Sequence, residues 1–147
     1  GSVVASNIAS ATAAVTGVAG TSAVGSVSVL AITVYTVTVA SGTNSYGYGN
    51  KYYIAGLSGA SPTLTLNEGS TYRFDQSDSS NSGHPFRFST TANGTHAGGS
   101  EYTTGVTTNG VPGSSGAYTQ ITVASGAPTL YYYCTNHSGM GGTANTP

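Results

Sequence analysis

An alternation of period two runs through this chain and commits it to strands. In His84-Pro85-Phe86-Arg87-Phe88, positions 84, 86 and 88 share one side while Arg87 takes the other. In Leu130-Tyr131-Tyr132-Tyr133-Cys134, Leu130, Tyr132 and Cys134 share a side and Tyr131 and Tyr133 oppose them. Successive side chains of a strand point to opposite faces, so His84 and Cys134 are both expected to look into the interior. The same patterning predicts strands over 35–40, 51–54, 63–66, 71–74 and 118–123. The Gly-, Ser- and Asn-rich stretches 41–50 and 75–83 read as loops, and 90–116 as a long loop-rich region.

Composition supports an all-β chain and narrows its partners. The 147 residues suit one domain, and Gly, Ser, Thr, Ala and Val fill most of them, with 11 tyrosines and no tryptophan. Charged residues make up only 5% of the chain, against about 25% in an ordinary soluble domain. Three basic residues and a net charge of -1 supply neither a nucleic-acid patch nor a polybasic membrane face. The most apolar stretch, 24–40, is too short and too interrupted by Gly, Ser and Thr to span a bilayer. A surface so poor in charge is weakly protected from association, which points to life in an assembly. A single cysteine rules out an internal disulfide.

Residues 1–34 form a low-complexity, β-rich arm with near-repeats such as Val15-Thr16-Gly17-Val18 and Val24-Gly25-Ser26-Val27. Lacking large side chains to close a core, the arm is expected to pair with a neighbouring chain, giving a homo-oligomer, or with the domain formed by 35–147. Phase switches along 27–39 imply bulges or separate strands.

The chemistry-bearing segment is Cys134-Thr135-Asn136-His137-Ser138-Gly139-Met140, which gathers the one cysteine, a histidine and the one methionine within seven residues. With His84 these make two imidazoles, a thiolate and a thioether, the donor set that copper prefers in a trigonal site with a weak axial ligand. His96 has no thiol or carboxylate near it in sequence and reads as solvated or lodged at a subunit contact. Asp75, Asp78 and Glu101 are too scattered for a calcium loop or a carboxylate pair. No hydrolase elbow, phosphate loop or Cys-x-x-Cys motif is present, so the expectation is a non-enzyme.

Over roughly 35–147, the upstream His84 and the loop carrying Cys134, His137 and Met140 resemble the cupredoxins, Greek-key β-sandwich proteins such as plastocyanin and amicyanin. The resemblance implies type 1 copper at those four residues and single-electron transfer. It also marks two departures: Pro85 stands where the family often has an asparagine bracing the ligand loop, and 141–147 offers little from which to build the family's last strand. The segments 82–89, 99–106 and 131–142, with the Val/Gly/Thr repeats of the arm, are also similar to cupredoxin-like modules of phage structural proteins. That likeness implies a virion or extracellular subunit, a decoration, tail or fibre protein among other virion proteins, with copper mainly stabilising the fold. Electron transfer is the alternative function, and a third is adhesion to glycans or a host surface through the Tyr-rich loops 46–53 and 98–116.

Overall fold

A computed structural model describes residues 2–4 and 31–147. The stretch 5–30, with its repeats and the strand exchange expected of it, lies outside the described residues. Eleven strands are described, β1 (Ser2–Val4), β2 (Ile32–Asn44), β3 (Gly47–Ile54), β4 (Leu64–Thr65), β5 (Thr71–Asp75), β6 (Phe86–Ser89), β7 (Glu101–Tyr102), β8 (Val106–Asn109), β9 (Tyr118–Thr122), β10 (Leu130–Cys134) and β11 (Gly142–Asn145), with short 3-10 turns at Ser79–Asn81 and Gly94–Ala97.

The strands form two mixed sheets, an arrangement consistent with an all-β sandwich. One runs β1-β2-β5-β9-β8, with β3 also paired to β2, and the other runs β4-β11-β10-β6-β7. The parallel neighbours are β2 with β5 and β11 with β4; the remaining pairs are antiparallel. Ser2–Val4 pairs with Ile32–Val34 of the same chain, at the end of the stretch expected to form the arm. Strand β2 begins at Ile32 and runs on past the arm boundary expected at 34.

Several strands extend beyond their sequence pattern. The 41–50 stretch, expected to be a loop, is the tip of a hairpin in which β2 and β3 pair from Val37↔Ile54 to Asn44↔Gly47. Its reversal is set by Asn44, whose Oδ1 accepts from the Tyr46 amide at 2.8 Å, a side chain standing in for a backbone turn bond. The 141–147 tail also corrects its reading. Gly142–Asn145 pairs with β10 on one side and β4 on the other, so backbone ladder bonds make a strand that side-chain propensity does not announce. Gly141 permits this close approach, since a Cβ there would collide with the Tyr132 carbonyl. The 90–116 region contains β7, β8 and one of the 3-10 turns.

Between the sheets, Val37, Ile54, Tyr72, Phe74 and Ile121 pack against Leu64, Phe86, Phe88, Leu130, Tyr132 and Cys134, all buried. Phe86 is the hub: its ring stacks on Phe74 at 4.6 Å and on Tyr132 at 5.0 Å, and meets Tyr52 at 5.0 Å and Phe88 at 5.5 Å. Removing it leaves a cavity bordered by four rings that cannot all collapse inward. Phe86→Ala is expected to destabilise the domain by about 3–5 kcal/mol, read as a lowered urea midpoint, whereas Val111→Ala on the exposed surface should leave it unchanged.

Candidate metal centre

The ladder between β6 and β10 sets Cys134 opposite Phe86. His84 lies two residues before Phe86, in the turn that enters β6 rather than on the strand itself, and this overhang carries its ring beside the thiol. Cys134 Sγ lies 3.7 Å from His84 Nδ1 and 3.6 Å from His137 Nδ1. The two imidazole rings are 4.6 Å apart between centroids, and the three donor atoms fall within 4.8 Å of one another.

Ordinary metal bonds of about 2.0 Å to nitrogen and about 2.3 Å to sulfur place two donors on one ion about 3.5–3.8 Å apart. The two thiol-imidazole spacings match that range, and the three side chains form a group that could hold one metal ion. Met140 is buried in the same loop. Cys134 is fully buried and His84 nearly so, while His137 is exposed, so the cluster opens to solvent on one side only.

A buried polar frame holds His84. Its amide donates to the Asn81 carbonyl at 2.8 Å, and its own carbonyl accepts from the Tyr52 hydroxyl and Gln76 Nε2, both at 2.7 Å. Gln76 also accepts from the Phe86 amide at 3.0 Å and donates to Asn81 Oδ1 at 3.0 Å, and Asn81 donates on to the Val37 carbonyl at 2.8 Å. Gln76 and Asn81 are wholly buried, and among the described residues no buried side-chain polar atom lacks a partner. Satisfied networks of this kind rigidify their surroundings.

The ligand loop is fastened by residues whose roles the sequence pattern does not reveal. Asn93, from the 90–116 region, donates to Ser138 Oγ and accepts from the Gly139 amide, both at 2.8 Å. Asn93 adopts left-handed backbone (φ 65°), a conformation asparagine tolerates better than most residues. Asn136 donates to the Gly83 carbonyl at 2.9 Å. His96, expected to be solvated or at a subunit contact, is exposed, yet its Nε2 lies 2.7 Å from the Cys134 carbonyl. That contact needs the 3-10 turn pressed onto Tyr133, which is buried although it lies on the opposite face from Cys134; a Cβ on Gly94 would sit 2.6 Å from the Tyr133 ring.

Burial pushes the His84 pKa down, and repulsion from His137 adds to the effect. A lowered value keeps the ring neutral, as a metal donor must be. Comparison with protein-family models, curated proteins and solved structures found no match.

Asn93→Ala removes both bonds to the loop and is expected to cost about 1–3 kcal/mol in urea unfolding of the metal-free protein. The pH dependence follows from His84. Its imidazole titrates near 6.5 when unfolded and lower when folded, so the unfolded state binds more protons in between and stability is lost as pH falls below about 6.5. A urea midpoint that falls as metal-free protein is taken from about pH 7.5 to about pH 5, with a shallower fall in His84→Gln, is the expected result.

Proposed function

We propose that the chain is a cupredoxin-like β-sandwich that holds one copper ion through His84 Nδ1, Cys134 Sγ and His137 Nδ1, with Met140 as a weak fourth donor, and exchanges single electrons at its surface. The carrying observation is the convergence of one thiol and two imidazoles at 3.6 and 3.7 Å from the end of β10, its loop and the turn before β6. Two imidazoles, a thiolate and a thioether select copper over zinc, whose structural sites use four nitrogen or sulfur donors without a thioether. Copper bound there would supply a one-electron couple.

The remaining work falls to the chain. Gln76, Tyr52 and Asn81 fix His84, while Asn93 and Asn136 fix the loop, so the donors keep their places whichever charge they face. The core side of the cluster excludes water, and the exposed His137 ring offers a partner an edge from which an electron can reach the thiolate. The proposed role is not enzymatic; the buried Cys134 thiol is placed to hold an ion rather than to attack a substrate.

A second reading is favoured by the 5% charge content and the repeat-like arm. In it the domain is a subunit of an extracellular assembly, such as a phage virion decoration, tail or fibre protein, that forms homo-oligomers through the arm and uses copper to stabilise its fold.

Copper(II) added to the metal-free protein is expected to produce an intense visible charge-transfer band at one equivalent, which ascorbate bleaches and ferricyanide restores. Cys134→Ser should lack the band, and a wild-type protein that stays colourless overturns the copper reading. A coloured protein that resists bleaching, gains thermal stability with copper and sediments as a large particle favours the second reading.

A further inference from the structure

Lys51 is the odd residue of this molecule. In a chain with three basic residues it is buried to 3% exposure, on β3, and no carboxylate pairs with it; among the described residues the one ion pair joins Arg87 to Glu101. Buried ammonium groups are costly without a partner charge. Among the described residues, the Lys51 ammonium donates to the Gly139 carbonyl, at 2.8 Å.

Gly139 lies between two of the proposed copper ligands, His137 and Met140, and its peptide is gripped on every polar atom. Asn44 Nδ2 shares its carbonyl with Lys51 at 2.8 Å, and its amide donates to Asn93. Next in the chain, the Met140 carbonyl accepts from the Tyr52 amide at 3.1 Å and from Ser61 Oγ at 2.9 Å. Gly139 itself is required, since it has a φ of 80° and a Cβ would lie 2.9 Å from that of Tyr46. The two asparagines and Ser61 would hold this loop without any charge. A buried cation added to them does something that neutral donors do not.

We propose that Lys51 is a positioning residue that grips the Gly139 carbonyl and, as a fixed positive charge behind the ligand loop, raises the reduction potential of copper held at His84, Cys134 and His137. The inference rests on the copper reading above. The sign follows from charge: a thiolate-bound copper site carries a net +1 when oxidised and is neutral when one electron has been added. A neighbouring cation disfavours the oxidised site and leaves the reduced one almost unaffected. With the side chain 3% exposed, its charge is screened less than one in open solvent.

The test compares Lys51→Met, which loses bond and charge, with Lys51→Gln, which keeps a donor but loses the charge, in copper-loaded protein titrated between ascorbate and ferricyanide. Both are expected to favour the reduced ion about tenfold less than wild type, a fall of about 59 mV for one electron, with the visible band retained. In metal-free protein, the Gly139 amide should exchange hydrogen faster in Lys51→Met. Should neither variant fold, Lys51→Arg, which keeps the charge, is measured against Asn44→Ala, which weakens the same grip without touching the charge; wild-type potentials in both are expected, and a potential lowered in Lys51→Arg, or lowered about tenfold in Asn44→Ala in its preference for the reduced ion, overturns the role of charge. Folded, coloured Lys51→Met and Lys51→Gln with the wild-type potential overturn the proposal. Failure of the copper reading is separate, because the wild-type protein would then show no band.

Discussion

The antiparallel register that sets Cys134 opposite Phe86 governs the rest of this molecule. A one-residue slip would turn Cys134 away from the core and separate it from His84, because side chains alternate strictly along a strand. Phe86 holds the register from inside, its ring locked among Phe74, Tyr132, Tyr52 and Phe88. On the outer side Tyr133 pairs with Arg87 and seats the turn that brings His96 to the Cys134 carbonyl. The same pairing builds the core and joins two donors that are 50 positions apart in the chain.

A strand end alone would leave His84 free to swing. What restrains it is a set of buried amides, Gln76 and Asn81, that would be a liability in the core if any of their polar atoms were unpaired. They are all paired, and the pairing ties the turn before β6 to β2 through Val37 and to β3 through Tyr52. Since β2 and β3 belong to one sheet and β6, which His84 precedes, to the other, the histidine is fixed to both sheets at once. Its position is a property of the whole sandwich and not of one loop, and the donor cluster is assembled by the protein's own bonds.

How much of this was legible in the sequence depends on the range of the interaction. Alternation marked β5, β6, β9 and β10, and it aimed His84 and Cys134 at one interior, because an in-and-out pattern is local and survives in the order of residues. The soft donors in 134–140 announced a cluster by their chemistry. The hairpin tip around Asn44 and the final strand β11 were not legible: Gly, Ser, Thr and Asn there look like loop, and it is pairing to distant strands that makes them extended. Nor were the fasteners. Asn93 acts on residues 45 and 46 positions away, Lys51 on one 88 away, and His96 on one 38 away. No periodicity encodes such contacts.

Charge poverty gives the remaining charges weight. With so few on the chain, those that persist are put to use: Arg73 lies over the Tyr118 ring at 3.9 Å and bonds Gln120, and Arg87 bonds the Phe86 carbonyl and Thr119 while facing Glu101. Both arginines thus reinforce strand pairs of the sandwich. Lys51 alone of the three is directed at the ligand loop. A neutral residue able to reach Gly139 would spare the chain the cost of burying an ammonium, and Asn44 already makes that bond from the opposite strand of the hairpin. The lysine shares its fastening role with Asn44 and is costly to bury, so its charge is the property that distinguishes it from the neutral donor beside it.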